Sequence, residues 1–154
     1  MSEPILLSNH SKLKDFLSSH FAGTLAVPID TEGTLHAAAI MYWHSPTPLR
    51  FYFVTSRETE KCTLLKTQSE VQAAYVVGTE KDTPYSVQLR GTLHEIDPED
   101  HPAIVESYYQ KRDNRHDDVS DPANCLLEFI PGWGRFTDYS QGYDRYFLDL
   151  GKKK

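Results

Sequence analysis

Apolar residues recur at helical spacing near the amino end, where Leu13, Phe16 and Leu17 alternate with Lys12, Lys14 and Asp15, so a short amphipathic helix is predicted over 8–20. Beyond it the pattern changes to that of strands. Strands are predicted over 21–29 and 35–44, joined by a hairpin turn at Asp30-Thr31-Glu32-Gly33, where Gly33 supplies a positive φ. Pro46-Thr47-Pro48 makes the next turn, and further strands follow over 49–56, 71–77 and 85–96, with a turn at Lys81-Asp82-Thr83-Pro84 before the last. A helix is expected over 58–67, and another over 97–112 with Pro98 at its first position and acids near its positive end. The polar run over 113–122 reads as an exposed loop, and strands over 126–130, 134–139 and 146–150 complete the chain. The mostly antiparallel order with few helices predicts a small mainly β barrel, because closure removes vulnerable edges.

Phe51-Tyr52-Phe53-Val54 carries no polar alternate, so this strand is expected to be buried on both faces. It runs into Thr55-Ser56-Arg57-Glu58-Thr59-Glu60-Lys61, where Thr55 and Glu58 have the spacing of a capping box. Free N–H groups at the start of the following helix, together with Lys61 and Arg57, make this corner a candidate anion site. A strand buried on both faces needs a second covering surface, and a second copy of the chain is the simplest supply of it.

Composition narrows the function classes. The 154 residues suit one domain, 1–154, without a linker or internal repeat. A net charge of -6 argues against a broad nucleic-acid footprint, and the basic tail 151–154 is read as a solubilising end. No apolar run approaches the roughly 20 residues needed to span a bilayer, and the amino end lacks a basic leader, so a soluble cytoplasmic protein is expected. Cys62 and Cys125 lack the spacing of a disulfide framework or zinc site, which fits a reducing compartment. His10, His20, His36, His44, His94, His101 and His116 are scattered without ligand spacing, so no metal centre is predicted. His44, at a strand end, is the best single candidate for proton chemistry because imidazole titrates near neutrality. Asp138 and Asp144 have no partner in the sequence that points to acid–base work.

The order of these motifs resembles the FMN-binding split barrels, the superfamily that includes pyridoxamine 5'-phosphate oxidase. The resemblance rests on the hairpin Leu25-Ala26-Val27…Gly33…His36-Ala37-Ala38-Ala39, the strand 51–56, Lys61, and Val87-Gln88-Leu89-Arg90-Gly91. Arg135-Phe136-Thr137-Asp138-Tyr139-Ser140-Gln141-Gly142-Tyr143 is also similar to an uncharacterised bacterial branch, the YhbP-like proteins. The resemblance implies an antiparallel, Greek-key-like split β-barrel that forms a homodimer with FMN in the cleft between subunits. It implies a flavin phosphate near Thr55, Ser56 and Lys61, with Arg57 a weaker candidate. Ala39, Met41 and Val54 would border the ring, Ser86 and Gln88 would face it, and Trp133 or Tyr139 would close the site from the partner.

The sequence departs from pyridoxamine-phosphate oxidases where those enzymes hold anions. Ala39 and His44 stand in place of the second strand's arginine and lysine, and Thr59-Glu60-Lys61 replaces Ser-Arg-Lys. Tyr146 and Leu148 stand where those oxidases carry a terminal Arg and His. A homodimeric FMN oxidoreductase acting on a small organic acceptor, rather than a true pyridoxamine-phosphate oxidase, is therefore expected. A haem-binding barrel using the loop around His116, a deazaflavin protein and a non-catalytic dimeric stress-response module are the alternatives.

Overall fold

The computed structural model describes Ile5 and residues 10–78, 80–112, 118–140 and 142–150. Helix α1 (Ser11–Ser19) starts where His10 Nδ1 accepts the Leu13 N–H, and it buries the predicted stripe Leu13, Phe16 and Leu17. Eight strands follow: β1 (Ala22–Pro28), β2 (Leu35–Met41), β3 (Trp43–Pro46), β4 (Leu49–Ser56), β5 (Val71–Val77), β6 (Tyr85–Ile96), β7 (Asn124–Asp138) and β8 (Asp144–Phe147). Helix α2 (Pro102–Arg112) lies between β6 and β7. The order across the sheet is β2-β1-β5-β6-β7-β4-β3, each neighbouring pair antiparallel, with β8 added on β7. The sheet curls until β2 touches β4, with the Tyr42 and Phe51 rings 5.3 Å apart. This is a mainly antiparallel split β-barrel, as the sequence predicts.

Alternation decides which side chains fill the barrel. Leu25, Val27, Phe51, Phe53, Tyr75, Val87, Leu89, Phe129 and Phe136 point inward and are buried. The α1 stripe closes one end, where Tyr42 Oη donates to the Leu17 carbonyl at 2.7 Å. The hairpin between β1 and β2 forms at the expected place, with Gly33 at φ 89° and Asp30 Oδ1 accepting the N–H groups of Glu32 and Thr34.

Four expectations need correction. The strand expected over 35–44 breaks at Tyr42: its N–H makes the last bond on the β1 side, to the Phe21 carbonyl, and from Trp43 the chain pairs with β4 instead. The helix expected over 58–67 is a pair of 3-10 turns, Glu60–Cys62 and Leu64–Lys66, and Thr55 makes no capping box. Thr55 belongs to β4 and points into the barrel; the capping-type bond comes instead from the Glu58 N–H to Ser56 Oγ at 3.4 Å. The strands expected over 126–130 and 134–139 form one strand, β7, because a bulge absorbs Pro131 and Gly132: Arg90 pairs with Trp133 and Gly91 with Pro131.

The fourth correction concerns β4. Its outward residues Tyr52 and Val54 join a second apolar cluster with Trp43, Ile96 and Leu126, covered by Ile104, Val105, Tyr108 and Tyr109 of α2. Trp43 Nε1 donates to the Ile104 carbonyl at 3.2 Å. Burial on both faces is thus supplied within the chain and gives no support to a dimer. The same cluster takes in Val119, only 3% exposed, while Asp118 and residues 120–122 around it are exposed in an irregular turn, as a loop there would be; Asn124 Nδ2 donates to the Asp118 carbonyl and fixes the turn. Residues 113–117, including His116, and the tail 151–154 lie outside the described residues.

Candidate functional site

The first group of predicted residues gathers where β4 ends. Ser56 pairs with Asn124 and is exposed, and Lys61 lies half-buried on the first 3-10 turn. Thr55 Oγ1 lies 3.3 Å from Thr59 Oγ1, inside the corner rather than on its outer wall. Val54 is half-buried in the cluster under α2. Arg57 is already committed: its guanidinium donates to both Glu95 oxygens at 2.9 and 2.7 Å, and Nε donates to the Pro122 carbonyl at 2.8 Å. Glu95, Asp97, Glu99 and Asp121 border the adjoining cleft with Arg57. Such a lining disfavours a phosphate there, leaving Lys61 as the cation of the corner.

The second group shares the outer face of the sheet. Cross-strand partners form one row over five strands, Ala39–Thr24–Val76–Gln88–Arg135, and the adjacent row reads Ala37–Ala26–Ala74–Arg90–Trp133. At a strand spacing of about 4.8 Å, Ala39 and Arg135 stand roughly 19 Å apart. Small side chains along the middle of these rows leave a groove of about 390 Å³ lined by Thr24, Ala26, Ala74, Val76, Gln88, Arg90 and Trp133. Met41 lies at the open end of the same face, exposed.

Polar groups converge on the far edge of this face. Arg135 Nη2 donates to Gln88 Oε1 at 2.5 Å, which leaves the amide N–H groups of Gln88 as donors. The Arg90 guanidinium stacks 4.0 Å over the Trp133 ring. Ser86, 7% exposed, alternates to the same side as Gln88; its Oγ and the Nε of Arg135 are buried without a hydrogen-bond partner among the described residues. Buried orphan donors of this kind are costly unless a ligand or water meets them. Tyr139 is at the rim, exposed, its ring 5.2 Å from that of Tyr143, which in turn packs under Arg145 at 4.4 Å. Arg145 draws the Tyr143 hydroxyl below its ordinary pKa.

Ala39, Met41, Ser86, Gln88 and Trp133 are therefore brought onto one face, whereas Ser56, Lys61 and Arg57 sit at the carboxy end of β4. The strand β7 measures the gap. Asn124, opposite Ser56, and Arg135, opposite Gln88, are eleven residues apart, roughly 35 Å of extended strand before the bulge shortens it. Arg135 and Arg145 were missed as site residues by sequence reasoning: Arg135 directly precedes Phe136-Thr137-Asp138 and Arg145 lies seven residues beyond it, and only the register reveals the face they share.

His44 does not titrate near neutrality. Burial, with Lys111 adding repulsion, pushes its pKa down to about 4, and the neutral ring stacks on Phe51 at 6.0 Å. Burial pushes the Asp138 carboxyl up, but hydrogen bonds from Ser140 and Lys12 outweigh it and hold the group below its ordinary range. It is a structural ion. Among the described residues no cluster of three His, Cys, Asp or Glu side chains could hold a metal, and no helix is long and apolar enough to cross a membrane.

A family model described as pyridoxamine 5'-phosphate oxidase matches residues 9–127. A search of curated proteins by sequence returns no match. Among solved structures, a putative pyridoxamine 5'-phosphate oxidase from Listeria innocua superposes with a TM-score of 0.60 at 17% identity, covering 82% of this chain and 95% of that one. ChuZ of Campylobacter jejuni gives 0.69 at 14% identity, covering 97% of this chain and 62% of that one. A haem-binding protein from Mycobacterium smegmatis gives 0.61 at 16% identity over 86% of this chain, which spans only 55% of that protein. At these identities the likeness is one of fold.

Proposed function

The chain belongs to the pyridoxamine 5'-phosphate oxidase family, and on that premise we propose that it binds FMN between two copies of itself as an oxidoreductase acting on a small organic acceptor. The observation that carries this reading is the outer face: a floor of small side chains, Ala39, Thr24 and Val76, ending on Gln88 and Arg135 beside the orphaned Ser86 Oγ. A flat ring fits such a floor, and its polar edge meets hydrogen-bond donors that otherwise lack partners. The flavin, when bound, supplies the hydride or electron transfer. The protein's part is binding and orientation. Gln88 and Arg135 hold the polar edge of the ring, Trp133 with its stacked Arg90 walls the groove, and Lys61 with Ser56 anchors the phosphate.

One copy separates these halves along β7, so a second copy that lays its Gln88–Arg135 face against the first copy's Lys61 corner completes a site. The exposed Met41 and the small residues of β2 beside it give that face an apolar surface to cover. The substituted cations, Ala39 and Glu60, argue for a substrate other than pyridoxamine phosphate. Titration of the purified protein with FMN, followed by flavin fluorescence and by molar mass in solution, tests the reading. Saturation at one flavin per chain in a dimer is expected; no binding at high micromolar FMN would sink it. A Soret band on adding haem, in a protein indifferent to FMN, would move the assignment to a haem-binding barrel, the class to which the Mycobacterium smegmatis neighbour belongs.

A further inference from the structure

We propose that Cys62 and Cys125 are an oxidisable dithiol, which a hydroperoxide converts to a disulfide within one chain. The two thiols are 63 residues apart in sequence, yet their sulfurs lie 3.0 Å apart and both side chains are buried. Pairing of Thr55 with Cys125 brings β7 to the spot, and the 3-10 turn after β4 folds Cys62 back onto it. A bond of about 2.05 Å asks for an approach of only ~1 Å.

The surroundings give the two sulfurs different tasks. Cys62 lines a shallow concavity with Arg57, Leu65, Lys66 and Glu95, whereas Cys125 is not part of that wall. The hydrogen bond from Cys125 holds the Cys62 thiol below its ordinary range, helped by Thr59 and the charge of Lys61; the same bond, with burial, pushes Cys125 up. Cys62, which borders the concavity, is thus the more readily ionised attacking thiol and Cys125 the resolving thiol. The Cys62 thiolate attacks one peroxide oxygen, the O–O bond breaks, and the departing alkoxide takes up a proton as the alcohol, leaving a sulfenic acid. Cys125 sulfur then attacks Cys62 sulfur; the S–O bond breaks, and hydroxide leaves with the Cys125 proton as water. Two electrons pass from the dithiol to the peroxide.

The product cannot keep the thiol hydrogen bonds that Cys62 and Cys125 now make to the Ser56 and Thr55 carbonyls. Oxidation therefore re-ties the turn that carries Lys61. This inference does not rest on flavin binding.

The test treats the reduced full-length protein with hydrogen peroxide and counts free thiols after unfolding. Both thiols should disappear together, the mass should fall by two hydrogens, and a proteolytic fragment should join Cys62 to Cys125 in a species whose chain count is unchanged. In Cys125→Ser, dimedone should trap a sulfenic acid at Cys62, and in Cys62→Ser, Cys125 should react at least ~10-fold more slowly. Cys62→Ala and Cys125→Ala repeat the comparison if either serine variant loses its near-ultraviolet circular dichroism. Cross-links only between chains, or two intact thiols after excess peroxide, or equal reaction rates at Cys125 with and without Cys62, would each overturn the proposal.

Discussion

Arg135 on β7 and Gln88 on β6 are direct cross-strand partners, and the guanidinium donates to the amide oxygen. The contact fixes the Gln88 amide with its N–H groups outward and leaves Arg135 Nε over. Replacing Arg135 by Leu keeps the bulk and removes both donors, so FMN affinity is expected to fall about ten- to a hundredfold, the worth of a charge-assisted hydrogen bond. Fluorescence titration checks it, and unchanged affinity would take Arg135 out of the site.

Lys61→Ala is expected to weaken FMN by a similar factor, because Lys61 is the cation left to the corner once Arg57 is engaged with Glu95. Free phosphate added to the wild-type titration should compete; if it does not compete and Lys61→Ala binds normally, the phosphate sits elsewhere.

Arg57→Ala separates structure from binding. The bidentate pair is partly exposed, so its loss should cost stability of only about 1 kcal/mol in denaturant melts while FMN affinity stays the same. A large drop in affinity with intact stability would return Arg57 to the site.

His44 makes the protein sensitive to acid. In the unfolded chain the imidazole takes its proton near 6.5, whereas in the fold it resists until about 4. Between those values the unfolded state binds more protons, so stability falls as pH drops through that window and is unaffected by His44 above it. The loss is at most ~3 kcal/mol, less where water reaches the half-buried ring. Urea melts from pH 7 to 4 should show this slope, and His44→Phe should flatten it.

Gly91 and Gly132 flank the bulge but differ in tolerance. A Cβ at Gly91 would run into the Ile130 carbonyl oxygen, a backbone atom that cannot step aside, whereas at Gly132 the nearest atom is the Arg90 oxygen at 3.9 Å. Gly91→Ala should cost roughly 1–3 kcal/mol and Gly132→Ala little. Equal melting temperatures for the two would contradict the register at Arg90 and Gly91.

Strand identity was legible where one face meets the core and one meets solvent: β1, β5 and β6 lie within a residue or two of expectation. Misreadings fell where tertiary contact overrides local pattern. Trp43 pairs with Tyr52 of β4 where the preceding residues pair with β1, which breaks the second strand at Tyr42, and Pro131 is tolerated in a strand because the bulge removes the need for its N–H. The cover of β4 was hidden because α2 shows no clean apolar stripe; Ile104, Val105, Tyr108 and Tyr109 crowd only its middle. Of the residues expected at the site, Ala39 and Met41 on β2 and Ser86 and Gln88 on β6 do share one face, but sequence spacing could not show that Arg57 faces Glu95 or that Cys62 meets Cys125. Those contacts depend on which strands become neighbours.

The placement of β7 also dictates the order of events in folding. It lies between β6, which immediately precedes α2, and β4, whose Thr55 is 70 positions before Cys125. The β1–β2, β3–β4 and β5–β6 hairpins can form from local contacts, but β3–β4 has no place in the sheet until β7 arrives to receive it. Joining segments so far apart makes this closure the slow step, expected on the millisecond-to-second scale of non-local β folds. Until then the aromatic edge of β4 stands open, and a chain halted before β7 is the species most prone to aggregate.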